Sequence, residues 1–116
     1  MDVQKTGDVS VITLSGKINT EEAQGLKQDL YDYCGSKPGH VLVDMSSVGY
    51  VSSYLIGMLV ACHKLLKESG NQLHLAGLDS RLRTMFDVAG LTDVFPQHDT
   101  KEAGIAHLDG REAANG

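Results

Sequence analysis

Two adjacent serines, Ser52 and Ser53, sit in the stretch GYVSSYLIGML, between an apolar run and a longer segment of helical periodicity. A hydroxyl at such a junction can cap the helix, act as a nucleophile, or be acted upon by another protein. Nucleophilic attack needs a tight strand-to-helix turn with small residues around the serine, as in G-x-S-x-G. Here Tyr50 and Val51 precede Ser52, and Tyr54 and Leu55 follow Ser53, so the flanking glycines are missing. Attack also needs a base and an orienting acid within hydrogen-bond reach. His63, His74, His98 and His107 show no spacing to either serine that supplies one. The pair reads as an N-cap followed by a first-turn residue, not as a catalytic centre, and no enzyme activity is expected.

Other chemistry is equally unsupported by the residues. The chain has 13 glycines yet neither a G-x-x-x-x-G-K-[ST] nor a G-x-G-x-x-G loop, so no phosphate cradle and no cofactor are expected. The histidines show no H-x-x-x-H or Cys/His grouping, which leaves a metal site without support. His63, on the apolar side of its segment, reads as a partly buried, hydrogen-bonded structural histidine. Cys34 and Cys62 lie far apart with no CxxC spacing, and two reduced, partly buried thiols are expected of them. A formal net charge of −5 and the lack of any Lys/Arg cluster argue against direct nucleic-acid or anionic-membrane binding. The longest apolar stretch, YLIGMLVAC, is too short for membrane insertion, and the start MDVQKTGD is unlike a signal peptide. A cytoplasmic binding or switching domain is the expectation.

The elements that must position the serines follow from periodicity. MDVQKT and DVSVITLSG read as two strands joined by a TGD turn, the second ending at Gly16. Thr20 reads as the N-cap of a helix through Cys34, with Glu21 and Glu22 at its positive end and Ala23, Leu26, Leu30 and Tyr33 on one face. HVLVDM is a continuous apolar run of the kind that suits a central parallel strand. Ser52 to Ser69 repeats the helical period, and Gln72 to Ala76 alternates as a strand. Asp79 or Ser80 caps a third helix with Leu82, Met85, Phe86 and Ala89 on one side. LTDVFPQ reads as a last strand, and DTKEAGIAHL as a weaker helix interrupted by Gly104. The tail DGREAANG has too little apolar content to order itself. The order β-β-α-β-α-β-α-β-α predicts one α/β domain over residues 1–108, a mixed, mostly parallel sheet carrying about four helices. Residues 109–116 are expected to be a disordered tail.

In this order and spacing, VITLSGKINT, VLVDMSSVGYVSSYLIGML, GNQLHLAGLDSRLRTMFDVAGLTDVF and TKEAGIAHL resemble the STAS domain family, over about Val9 to Leu108. The resemblance is to the stand-alone anti-sigma-factor antagonist type. It implies a partner-switching regulator that binds an anti-sigma factor, itself a serine kinase, until that kinase phosphorylates the second serine of an Asp-Ser-Ser-Gly motif. A PP2C-type phosphatase reverses the step. Carried onto this chain, the phosphorylated residue is Ser53, with Ser52 as the lesser candidate. The implied partner surface comprises Asn19, Asp44, Gly49, Tyr50, Val51, Ser52, Ser53, Tyr54, Leu55 and Met58. Val51 stands where the family has Asp, Tyr54 where it has Gly, and Asn19 where the first loop has Asp.

Physical chemistry is consistent with that transfer. A serine in the first helical turn lies beside unsatisfied backbone N–H groups, where added negative charge is tolerated. A phosphate brings about −1.5 to −2 charges, which the partner rather than the fold would register. An exposed apolar pair, Val51 with Tyr54, would form an interface hot spot. The departures also keep open a non-phosphorylated docking subunit, in a signalling scaffold or a transporter ATPase complex, and a small-ligand or lipid binder.

Overall fold

Alternation along the strands decides the architecture. The computed structural model describes residues 1–110. Its five strands are β1 (Asp2–Thr6), β2 (Val9–Ile18), β3 (His40–Val51), β4 (Leu73–Ala76) and β5 (Gln97–His98), lying side by side in chain order. β1 runs antiparallel to β2, and every later pairing is parallel. The helices are α1 (Thr20–Gly35), α2 (Ser53–Glu68), α3 (Ser80–Val88) and α4 (Lys101–Leu108). The predicted element order, the opening hairpin and the mixed, mostly parallel sheet are all present.

Both faces of the sheet are covered, which is why β3 reads as an apolar run rather than an alternating one. Val41, Val43 and Met45 join Ile12, Leu14 and Leu75 in the core beneath α1, α2 and α3. The intervening positions Val9, Val11, Leu42 and Ala76 face the other way and pack with Ile105 and Leu108 of α4. Gly104 does not interrupt α4, as the sequence suggested. A Cβ there would stand 2.7 Å from Leu42 Cδ1, so glycine is what lets the helix lie against the sheet.

Four boundaries differ from expectation, each for an identifiable reason. The cap of α1 is Asn19, not Thr20: Asn19 Oδ1 accepts from the Glu22 N–H at 2.9 Å, and Asn is the stronger N-cap. β2 continues through Gly16 to Ile18 because register shifts after Thr13 and after Gly16 restart the pairing. β3 runs for 12 residues, its polar second half pairing with Ser15–Ile18. The segment LTDVF is a turn rather than a strand, with Val94 and Phe95 N–H groups donating to Leu91 O. Its apolar character comes from Phe95, fully buried edge-on to Phe86 at 6.0 Å. Ala89, expected on the core side of α3, is its exposed C-cap. Asp109 and Gly110 close α4, and the rest of the expected tail, 111–116, lies outside the described residues.

Candidate functional site

The two serines are divided by their local chemistry. Ser52 follows β3 directly: its N–H donates to Ile18 O at 2.9 Å, and its hydroxyl accepts from the Leu55 N–H at 3.3 Å. With 6% exposure, that hydroxyl is committed to capping α2. Ser53, the first residue of α2, is exposed. The first turn of α2 carries no acidic side chain, whereas Glu21 and Glu22 occupy that of α1. The positive end of the α2 dipole is therefore not offset from within its own helix, and an anion on Ser53 would be received favourably there.

Register builds the rest of this edge. Lys17 pairs with Tyr50 and Ile18 with Val51, so β2 and β3 end together and deliver the N-termini of α1 and α2 side by side. Exposed Asn19, Gly49, Tyr50 and Ser53 thereby share the end of the sheet. Tyr50 is 46% exposed. Half-buried Tyr54 leans toward α1, where Lys27 Nζ stands 5.9 Å from its ring centroid and 5.8 Å from that of Tyr31.

Besides Ser52, four of the expected contact residues are inward-facing. Val51 and Leu55 are 0% exposed and Met58 is 2% exposed, all within the core under the helices. Val51 is thus no surface hot spot: the alternation of β3 points it beneath α2, and the proposed Val51–Tyr54 pair does not exist on the surface. Asp44, at 8% exposure, lies between Val43 and Met45 and so projects toward the α4 face. Its Oδ1 accepts from the Ser46 N–H at 3.1 Å, a local turn bond rather than a partner contact.

The edge has a component that sequence reasoning missed. α2 and α3 enclose an open, almost wholly apolar groove of about 320 Å³, lined by Ser53, Ile56, Thr84, Met85, Val88 and Ala89. Val88 is 83% exposed, an unusual position for a large aliphatic side chain. Arg81, at the start of α3, donates from Nη2 to Gly49 O at 3.4 Å and tethers this helix to the end of β3. The available signal was Val88 itself, apolar but outside the Leu82–Phe86 stripe.

Polar side chains gather instead on the α4 face. His74, 1% exposed, donates from Nε2 to Gln72 Oε1 at 2.8 Å, which leaves Nδ1 to accept from His98 Nε2 at 2.9 Å. The His107 ring lies 5.5 Å from His74 and 5.2 Å from His98, centroid to centroid. Burial, reinforced by His98, His107 and His40, lowers the His74 imidazole to about 4. His63 differs from expectation: it stands edge-on to Phe95 at 5.8 Å, and its buried Nδ1 has no hydrogen-bond partner among the described residues.

A family profile described as the STAS domain matches residues 1–104. The anti-sigma-B factor antagonist of Listeria monocytogenes is 34% identical over 84 residues, covering 72% of this chain and 73% of its own. An anti-sigma-factor antagonist (STAS) domain protein from Planctomyces limnophilus superposes with a TM-score of 0.85 at 21% identity, over 92% of this chain and 96% of the other. The Bacillus cell fate determinant SpoIIAA, solved in its phosphorylated form, superposes with a TM-score of 0.73 at 15% identity, over 92% and 97%. No described helix is long and apolar enough to cross a membrane. Sequence and fold together place the chain in the STAS domain family.

Proposed function

We propose that this protein is an anti-sigma factor antagonist that works by partner switching. It binds a cytoplasmic anti-sigma factor with serine kinase activity through the exposed end of the sheet and the α2–α3 groove. Phosphorylation of Ser53 by that kinase ends the complex, and a PP2C-type phosphatase restores it. The observation that carries this reading is the division of labour between the serines: the Ser52 hydroxyl is buried in a cap, while Ser53 presents its own beside an apolar groove. A phosphate at the rim of that groove would set a solvated dianion against a surface suited to aliphatic contact. Such a mismatch costs on the order of 4 kcal/mol, about a thousandfold in affinity. The fold need not change, because the dianion sits at a helix N-terminus that tolerates it.

Val51 also fits this reading. Where relatives carry an acid, this chain places an aliphatic side chain in the core, so recognition would rest on Asn19, Tyr50, Ser53 and the groove. The alternative is a docking subunit of a larger assembly, using the same surface without phosphorylation; Tyr54, in place of the family's Gly, favours it. Incubation with the cognate kinase and ATP, followed by peptide mapping, separates the two. One phosphate, on Ser53, with loss of binding supports switching. Stable binding by both Ser53→Ala and Ser53→Asp, with no modification, supports docking.

A further inference from the structure

Three imidazoles from three elements close on one another beside α4. His74 of β4, His98 of β5 and His107 of α4 form a nearly equilateral triangle, with ring centroids 5.1, 5.5 and 5.2 Å apart. His74 Nδ1 and His98 Nε2 stand 2.9 Å apart with one hydrogen between them, because His74 Nε2 is committed to Gln72 Oε1. His40 of β3 belongs to the same network: its Nδ1 accepts from the Gln72 N–H at 3.1 Å. The helix on this face is lightly held. α4 has eight residues and docks through Ile105 and Leu108 onto Val9, Val11, Leu42 and Ala76. None of these belongs to the larger cluster beneath α1, α2 and α3.

We propose that this triad is an acid-operated latch: protonation of the facing imidazoles releases α4 from the sheet while the rest of the domain stays folded. The reason lies in the count of hydrogens. The neutral pair of His74 and His98 places one hydrogen in the bridge, and so does the pair carrying a single positive charge. When both rings are charged, each nitrogen bears its own hydrogen, and two N–H groups face one another across 2.9 Å. The docked arrangement therefore excludes a proton that the released one accepts. His107, exposed on α4, takes its charge on the helix side of the triangle. Repulsion from the two rings on the strands then acts between helix and sheet.

The other charged groups on the packed elements sit toward the ends of α4. Asp44, Asp99, Lys101 and Glu102 line a shallow hollow at its N-terminus. Asp109 lies against the turn at Gly7, and Asp8 lies against Gly39. The groups that act on the buried His74 ring are His98, His107 and His40, all bases, so acid surrounds it with charge of one sign. Undocking is structurally cheap: α4 is the last described element, and its loss breaks no strand pairing. A helix of eight residues does not persist alone, so release also unwinds it. His74 titrates near 4 when docked and near its ordinary 6.5 when freed. Docking is therefore intact above pH 6.5, and the undocking equilibrium rises by up to about tenfold per unit as pH falls toward 4. This inference does not depend on phosphorylation of Ser53.

The test is a pH titration of the isotope-labelled protein, followed by backbone amide NMR from neutral pH to about 4. The expected result is that the amides of Lys101–Leu108 move together to random-coil shifts at a higher pH than those of α1 and α2, and return on neutralisation. His74→Gln keeps a hydrogen-bonding side chain without a titrating ring, and its α4 should stay docked throughout. His107→Gln, at an exposed position that does not endanger folding, should release α4 at a lower pH than the native protein. An α4 that stays docked in the native protein at pH 4 would overturn the proposal. So would loss of all four helices in one step, or an unchanged release midpoint in His107→Gln.

Discussion

The two faces of the sheet spend their polar side chains in opposite ways. Beneath α1, α2 and α3 the core is almost wholly apolar, and polarity is pushed to the end of the sheet, where Asn19, Tyr50 and Ser53 meet solvent. Beneath α4 the apolar cluster is small, and His74 is held inside by Gln72 and His98. The reversible modification proposed for Ser53 needs an exposed group on rigid support, and the first face has one at the start of α2. The second face has a buried, hydrogen-bonded imidazole whose neighbours oppose its protonation. The first arrangement should respond to a kinase, and the second to acid.

The largest expected effect lies at the first face. Ser53→Asp should weaken binding of the anti-sigma factor about a thousandfold, roughly 4 kcal/mol, while leaving the thermal midpoint nearly unchanged; titration calorimetry and a melting curve check both halves. Next comes pH on the second face. His74 titrates near 4 in the folded protein and near its ordinary 6.5 in the unfolded chain. The unfolded state therefore binds the extra proton between these values. The stability associated with His74 is complete above pH 6.5 and falls as pH drops toward 4, by up to about 1.4 kcal/mol per unit. Urea midpoints across this range should fall more steeply for the native protein than for His74→Gln, and parallel slopes would remove His74 as the cause.

Two smaller effects sharpen the contrast within the first face. Val88→Asp should weaken partner binding by about tenfold, roughly 1.4 kcal/mol, without changing stability, because Val88 is 83% exposed. Ser52→Ala should do the reverse. It removes the cap of α2 and should cost about 1 kcal/mol of stability by denaturant titration, while Ser53 remains a substrate.

Much of this contrast could be read from the chain, and the failures have physical causes. The capping role of Ser52 and the position of Ser53 were legible because both are local properties of a strand-to-helix junction. The element order was legible because periodicity is local too. The length of β3 was not: Ser46, Ser47 and Gly49 look like loop residues, and only pairing with the shifted end of β2 makes them strand. That same extension buries Val51, so its expected exposure failed with it. The α2–α3 groove joins residues more than thirty positions apart, Ser53 with Val88 and Ala89. The imidazole group likewise draws on β4, β5 and α4, and nothing in sequence spacing announces it.

The central claim is that the exposed serine, not the buried one, carries the switch. Its most direct test is phosphorylation by the cognate anti-sigma kinase of three proteins in parallel: native, Ser52→Ala and Ser53→Ala, each mapped by peptide mass spectrometry and assayed for binding. The account predicts one phosphate on the native protein and on Ser52→Ala, both losing the partner, and an unmodified Ser53→Ala that stays bound. Phosphate on Ser52, or a phosphorylated protein that retains its partner, would contradict it.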